Sequence, residues 1–584
     1  MTRTKTRANA NTPNNYVSVL DYGADPTGAT DSREVIQSAI DSLQEYDELF
    51  IPAGSYLFNS KGPVDAETYK NRTTTRCLKI NTDNIKITCA RGARFLIDNS
   101  VDWIHTDGTN NATIIVYSEG TTGVEISGLD ITSLDGNRST GENTVGIEFN
   151  RCTRAILSDL DIGYIGAGVR FSESSFCDVR DSYLHHCYDT AANIFGGCTY
   201  TTITNCEVTT SGDGNCTMYG NNEHCEIRGC KVSGDEVAGT QVIVCESSHF
   251  CTVRDCIVDG SNGHVNNGII VNRSRFCNVR GNDISGVNYG IVIRDTDLEG
   301  AGGVPNWNTI ISDNSIYEIQ ERINDKHPLG IWVQYSSNVL ITNNQFGRFI
   351  GSNQLDEALR VPKYIYIRTG QNTPDGAQNQ NISVCNNTFM MKHQEVGFGF
   401  YSNPHFIVYS QQEIVNGFTF KNNTIVCTDD NQLNFGLLKF NDVRNITISG
   451  NQLNANNLTR GPVNLLEVVK MRGLVFTGNN LNFGRNTSGN TYMIRADESW
   501  GAVITNNVLG GQNQPVVGYL MRMTDKWQNT IFSNNYVAGC SRVASSNSQP
   551  VNFTFTNNIV NYDFAGAFDG VTPDIDTDNI LINY

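Results

Sequence analysis

Charge is scarce in this chain: Asp, Glu, Lys and Arg make up 17% of its 584 residues, and 60 acids against 42 bases leave a net charge of −18 at pH 7. That sign excludes nucleic acid or an anionic membrane surface as a partner, and it speaks against a strongly anionic polymer unless a local basic strip exists. No stretch approaches the 18 apolar residues of a membrane span, so membrane insertion is not expected. The opening MTRTKTRANANTPNNYVSV lacks the apolar core of a signal peptide, which predicts folding in a cytoplasm. No cysteine pair shows CxxC spacing with a second half, so no metal site is expected. The 17 cysteines have another pattern: eleven fall between Cys177 and Cys277. Cys177, Cys225, Cys251 and Cys277 recur in FCDV, HCEI, FCTV and FCNV, and Cys206, Cys230 and Cys256 form a second series. Thiols at repeat spacing read as small apolar core residues, reduced and stacked.

What the chain does have is a period. Asn423, Asn451, Asn479, Asn507 and Asn535 each follow the last by 28 residues, inside FTFKNNTIV, ITISGNQLN, LVFTGNNLN, AVITNNVLG and TIFSNNYVA. Each segment reads as strand, tight turn, strand, and a coil of that length with several short strands is one rung of a parallel β-helix. An inward carboxamide carries a donor and an acceptor, so stacked turns can bond rung to rung at about 4.8 Å. The series runs back through Asn387, Asn344, Asn314 and Asn282 and forward to Asn558. Before Asn282 its place passes to Cys256, Cys230, Cys206, Ser182, Leu160 and Leu129. The expected fold is all-β, a single-stranded right-handed parallel β-helix of about fifteen rungs, roughly 70 Å long. Inserted loops are expected at about 295–310 and 368–380, in LEGAGGVPNWN and RTGQNTPDGAQNQ. Length alone would suggest several domains, but a solenoid grows without splitting its core.

Near the start, VSVLDYGADPTGATDSREVIQSAIDSLQEYDELFIPAGSYLFNS places Asp31 or Ser32 as a helix cap and Val35, Ile36, Ala39, Ile40 and Leu43 on one face. Such a helix is expected to cover the open end of the stacked core, followed by a strand with Pro52 and Gly54 in its turn. DYGADPTGATDS and FIPAGSYLF resemble the opening of the pectate-lyase-like superfamily of β-helix proteins, a motif found in polysaccharide hydrolases, lyases, epimerases and phage tailspikes. RANANTPNNYVSVLDYGAD is similar to the junction where a tailspike's virion-attachment leader enters its β-helix. The resemblance to tailspikes implies a homotrimer on a virion tail, made in the infected cell without a signal peptide, with a leader at residues 1–16 that meets a tail adaptor or baseplate protein. The cap and first rungs would then occupy 17–110, and the β-helix body 111–584.

A polymer lying along a solenoid meets one outward residue per rung, so chemistry is sought at the turn entering each rung's first strand and on that strand. Down the chain this position reads Asp189 in YDTAANIF, Asp213 in GDGNCTMY, Asp235 and Glu236 in GDEVAGTQVIV, His264 and Arg273 in GHVNNGIIVNR, and Arg294 with Asp295 in YGIVIRD. A glycosidase needs two carboxyl groups, one protonated and one ionised. Neighbouring rungs offer them at about 5 Å and alternate rungs at about 10 Å, which brackets both stereochemical outcomes. Asp213 and Asp235 stand first as catalytic candidates, with Glu236 and Asp189 next. The order of acid, paired acid, His and Arg resembles the polygalacturonase family in part: Gly214 and Asn215 stand where a second Asp belongs, and Asp295 replaces a lysine.

Sugar binding also needs flat apolar faces beside hydroxyl-bonding groups. In GIWVQYSS, alternation puts Ile331, Val333 and Tyr335 on one face and Trp332 and Gln334 on the other, and the second pair is expected outside. Tyr188, Tyr219, Phe398 and Tyr401 fall in the same register. The substrate-binding set is therefore His264, Arg273, Arg294, Trp332 and Gln334, facing a host surface polysaccharide. As a lyase or epimerase the protein would instead pair a base with Arg273, Arg294 or His264, and its acidic turns offer oxygens to Ca²⁺. As an adhesin or a structural fibre it would cleave nothing. No cofactor is otherwise expected.

Overall fold

A computed structural model describes residues 15–60, 64–69, 72–98, 112–136, 144–209, 212, 214–234, 241–261, 265–295, 306–320, 328–347, 349–350, 363–368, 379–391, 405–411, 414–427, 435–455, 463–483, 492–510, 517–546, 549–562, 568–569, 573 and 575–583. Most of the proposed leader and most of each proposed insertion lie outside these residues. The chain divides into two compact units, the first reaching residue 234 and including 241–244, the second running from 245 onward.

Each unit is a right-handed parallel β-helix of three sheets. In the first, sheet A holds the longer strands Ala112–Glu119, Thr144–Asn150, Ala167–Ser172, Thr190–Phe195 and Gly214–Tyr219. Sheet B holds three-residue strands such as Ile156–Ser158 and Asp178–Arg180, and sheet C others such as Asp161–Gly163 and Tyr183–His185. Consecutive rungs pair in parallel register, Leu157 with Val179 and Ile162 with Leu184, so like side chains stack in the core. Val64–Tyr69 with Arg72–Ile80 is an antiparallel exception.

In the second unit, sheet A begins with Asn267–Asn272, Tyr289–Arg294, Leu329–Gln334, Lys363–Arg368 and His405–Gln411. Further on, sheets A and B merge into strands of 14 to 17 residues, such as Phe435–Ser449 and Val517–Ser533.

Sheets B and C meet in a two-residue turn, and its first residue has a left-handed backbone, φ 54° at Asn422, 57° at Asn506 and 56° at Asn534. Asn tolerates that region because its short side chain bonds the local backbone. The second residue points inward. From Asn282 to Asn558 these carboxamides are at most 2% exposed, and each Nδ2 donates to the Oδ1 of the next at 2.9–3.1 Å. Each Oδ1 also accepts the preceding Asn backbone N–H, and each Nδ2 reaches a main-chain carbonyl of the rung before, as Asn451 does at Phe420 O, 2.9 Å. The ladder therefore satisfies every polar atom that it buries. It runs one rung past the predicted end, where Asn558 donates to Asn579 Oδ1 at 3.0 Å. In the first unit the same inward place holds Leu129, Leu160, Ser182, Cys206 and Cys230, all buried as expected.

The helix forms over Arg33–Asp41 and buries Ile36, Ala39 and Ile40, with Leu43 just beyond it, while Val35 is half-buried. Neither predicted cap is simple. Ser32 occupies the cap position but its Oγ accepts Asp25 N–H, and Asp31 Oδ1 accepts Arg33 N–H at 3.1 Å. The covering role has a specific contact: Gln37 Nε2 donates to Lys79 O at 2.9 Å, and Lys79 N–H donates to Gln37 Oε1 at 2.7 Å. One side-chain amide thus stands in for a missing strand at the edge of Arg72–Ile80.

The side chains of fifteen cysteines are described, all as free thiols and fourteen of them buried, with Cys385 half-buried. Burial pushes the Cys177 thiol up to about 12 and Cys198 up to about 11. Native protein at pH 8 is therefore expected to react with a thiol reagent many-fold more slowly than denatured protein. Counting labelled sites by mass spectrometry checks this, and rapid labelling of most thiols in the folded state would contradict it.

Candidate functional site on the outer face of sheet A

Outward side chains on sheet A fall into files because the register is one-to-one. In the first unit one file runs Tyr117, Glu148, Arg170, Asn193 and Thr217, and beside it runs Glu119, Asn150, Ser172, Phe195 and Tyr219. Acids, a base, amides, hydroxyls and stacked rings share one surface, with the Phe195 and Tyr219 centroids 5.7 Å apart at 8°.

The charged part is internally paired. Glu148 Oε2 lies 3.7 Å from Arg170 Nη1, Glu119 meets Arg151 and also Arg76 at 3.6 Å, and the Arg76 guanidinium sits 3.7 Å from the centre of the Tyr117 ring. Burial pushes the Tyr117 hydroxyl up, and Asn150 Nδ2 donates to it at 3.4 Å. These contacts staple adjacent rungs. Beside them, Asn150 Oδ1, Arg170 Nε, Asn193 Oδ1 and Thr217 Oγ1 are buried atoms with no hydrogen-bond partner among the described residues. Buried polar atoms of this kind can hydrogen-bond a ligand that lies on this face.

In the second unit, one file runs Ile270, Val292, Trp332 and Tyr366. Two residues further along each strand come Asn272, Arg294, Gln334 and Arg368. Aromatic faces thus lie beside amides and guanidinium groups. Trp332 is 5.3 Å from Tyr289 and 6.2 Å from Tyr366 by ring centres, and its Nε1 is buried without a partner among the described residues. Burial pushes Tyr289 up to about 12, with Tyr366 adding to the rise and Asn288 and Arg368 opposing it. Gly268, Gly290 and Gly330 open three of these strands to close approach: a Cβ on Gly290 would meet Gly330 O at 2.5 Å. Only glycine fits there.

Lys363 begins its strand at 8% exposure, with Nζ 5.8 Å from the Tyr366 ring centre, and burial pushes its ammonium down to about 8. An unfolded lysine keeps its proton to about pH 10.4, so between pH 8 and 10 the unfolded chain holds more protons and folded stability rises with pH. Below pH 8 both states are charged and the burial penalty is constant. Lys363→Met is expected to be the more stable protein at pH 7, by on the order of 1–3 kcal/mol, with the gap closing toward pH 10. Guanidinium unfolding of both proteins at pH 7, 8.5 and 10 checks this; a gap independent of pH would count against it.

The sequence-predicted site residues divide three ways. Asp213, Asp235, Glu236 and His264, with Phe398 and Tyr401, lie outside the described residues. Asp189, in the first unit, is half-buried at the entrance to Thr190–Phe195, and its N–H donates to Gly166 O at 2.8 Å. Arg294, Trp332 and Gln334 share the sheet A face of the second unit, and Ile331, Val333 and Tyr335 are core, as alternation predicts. Gln334 departs from its expectation, being only 6% exposed, because Arg368 sits directly beside it in register. Arg273 also departs: it lies past its strand, in the corner, at φ 50°, and pairs with Glu246. Among the described residues no group of three His, Cys, Asp or Glu side chains is arranged to hold a metal ion.

Two clusters are not foreshadowed by the sequence pattern. The residue before each cysteine of the FCDV series takes a left-handed backbone at the A–B corner and stacks outside, with Phe176 on Tyr200 and Tyr200 on His224 at 5.0 Å, and in the second unit Phe250 on Phe276 at 4.8 Å. The rings stack on one another yet stay about half exposed, Phe176 at 56% and Phe250 at 46%. The second cluster is on sheet C of the first unit. There Asp161 Oδ1 lies 3.0 Å from His185 Nε2, whose Nδ1 lies 2.8 Å from His186 Nδ1, and Tyr183 and Tyr164 stack on the two imidazoles.

A family described as periplasmic copper-binding protein (NosD) matches residues 153–354, and one described as rhamnogalacturonase A/epimerase, pectate lyase-like, matches residues 16–73. Solved structures similar to this chain include the mannuronan C-5 epimerase AlgE6 A-module of Azotobacter vinelandii, at 17% identity over 75% of this chain and 99% of that one, TM-score 0.45. The catalytic unit of a GH87 alpha-1,3-glucanase from Streptomyces thermodiastaticus is 13% identical over 80% and 69%, TM-score 0.41. The ORF18 protein of Geobacillus virus E2 is 15% identical over 51% and 57%, TM-score 0.32. No curated protein matches the chain. What these structures share with it is the parallel β-helix.

Proposed function

We propose that this protein is a phage tailspike that binds a host cell-surface polysaccharide, whether capsule, O-antigen or exopolysaccharide, and hydrolyses it. The observation that carries the reading is the outer face of sheet A, where aromatic rings, amides and charged groups recur at rung spacing, the arrangement that a long glycan laid along the coil requires. Further support comes from the match of residues 16–73 to the pectate-lyase-like description. Asp213, Asp235, Glu236 and Asp189 supply the carboxyl pair, and the assembly is a homotrimer anchored by its first residues to a tail adaptor or baseplate protein.

The test is digestion of purified host polysaccharide, with products weighed and their ends assayed. New reducing ends without ultraviolet absorbance are expected. Unsaturated ends would make the enzyme a lyase, and binding without cleavage would make it an adhesin. Absence of any glycan binding would overturn the reading.

A further inference from the structure

The outward files of sheet A in the second unit differ in kind from the rest of an acidic chain. Over the four rungs from Asn267–Asn272 to Lys363–Arg368 the eight outward positions carry no acid, although the net charge of the protein is −18. The file through Tyr366 meets its first acid three rungs further on, at Glu467, which pairs with Lys439. Arg294 and Arg368 stand at the same strand position two rungs apart, roughly 10 Å, with Gln334 on the rung between. Trp332 and Tyr366 run alongside. Lys363 adds a third cation at the edge of the Tyr366 ring, 5.8 Å from its centre. A guanidinium recognises a planar carboxylate through two parallel hydrogen bonds, and an aromatic face takes the apolar side of a pyranose. Two guanidinium groups separated by two rungs suit a chain that carries its acid on alternate sugars.

We infer that this face is a subsite for a carboxylated sugar, with Arg294 and Arg368 each receiving a carboxylate and Trp332 and Tyr366 supporting the rings between them. The inference rests on the glycan reading above and narrows it. Burial, which lowers the affinity of Lys363 for its proton, makes that lysine a reporter: a carboxylate bound nearby draws a proton onto it, so binding at pH 8.5 takes up protons.

The experiment uses the full-length protein and a panel of capsular polysaccharides with one uronic acid per disaccharide. Each is paired with its carboxyl-reduced form, and a sulfated neutral-backbone polymer and dextran complete the set. Titration calorimetry in buffers of different ionisation enthalpy reads affinity and proton uptake together. At least one acidic polymer is expected to bind, its carboxyl-reduced form at least tenfold more weakly. Arg294→Gln and Arg368→Gln are each expected to weaken the acidic polymer about tenfold while melting like the parent, and Trp332→Ala to weaken both forms. Equal binding of reduced and acidic forms, or binding of the sulfated polymer alone, would overturn the carboxylate inference and leave the glycan reading standing. Failure of the parent to bind any polymer would remove both.

Discussion

Asn451→Leu is expected to lower stability by about 2–6 kcal/mol. Four hydrogen bonds meet at the Asn451 side chain. Asn451 Oδ1 accepts both the N–H and the Nδ2 of Asn423, at 2.9 and 3.0 Å, and Asn451 Nδ2 donates to Phe420 O and Asn479 Oδ1, each at 2.9 Å. Leucine fills the space but leaves two donors on Asn423 in a site that is 0% exposed, and each stranded donor carries a penalty of about 1–3 kcal/mol. The neighbouring substitution Asn422→Gly is the control. Asn422 is exposed at φ 54°, a backbone that glycine adopts freely, so its loss is expected to be within about 0.5 kcal/mol of neutral. Guanidinium unfolding measures both where refolding is reversible, and unfolding rates do so otherwise. If Asn451→Leu melts with Asn422→Gly, the ladder is a by-product of the fold rather than one of its supports.

The ladder is readable in the sequence because it is periodic, and periodicity survives without coordinates. A carboxamide that recurs every 28 residues between alternating strands leaves little besides a stacked coil to account for it, and the insertions before Asn314 and Asn387 do not hide it. Its last rung, Asn579, breaks the pattern because only 21 residues separate it from Asn558. Alternation likewise places Ile331, Val333 and Tyr335 in the core. Properties that depend on a neighbouring rung are not visible in this way. Gln334 is outward by parity yet covered, and Arg273 belongs to a corner because the strand stops at Asn272. The aromatic stack at Phe176, Tyr200 and His224 is masked by the cysteine that follows two of its members. Its rings point outward only because those residues take a left-handed backbone, which no pattern of hydrophobicity reveals. Glu119 and Glu148 are inconspicuous for another reason: they precede the cysteine-rich rungs, on strands rather than in the acidic turns where a carboxyl pair is expected.

The second large effect concerns chemistry. On the proposed hydrolytic reading, Asp→Asn at either member of the carboxyl pair is expected to reduce glycan cleavage by about 10²–10⁴-fold with binding retained, the range for losing a positioned acid or base. Register restricts which residues pair. Thr190, the residue after Asp189, pairs with Gly214, the residue after Asp213. Asp189 thus precedes a strand whose neighbour begins one residue after Asp213 in the sequence, and the repeat read from the sequence assigns Asp235 to the following rung. If Asp213→Asn is inactive together with either Asp189→Asn or Asp235→Asn, the pair spans one rung, about 5 Å, and the product should keep its anomeric configuration. If Asp213→Asn is active while Asp189→Asn and Asp235→Asn are not, the pair spans two rungs, about 10 Å, which leaves room for a water and predicts inversion. Product configuration read early by NMR checks the geometry independently of the rates. Glu148→Gln separates a structural role from a chemical one: it strands Arg170, so stability should fall while the cleavage rate per folded molecule holds. Full activity in Asp189→Asn, Asp213→Asn, Asp235→Asn and Glu236→Gln would move the active site off these turns altogether, with an interface between copies of the chain the next place to look.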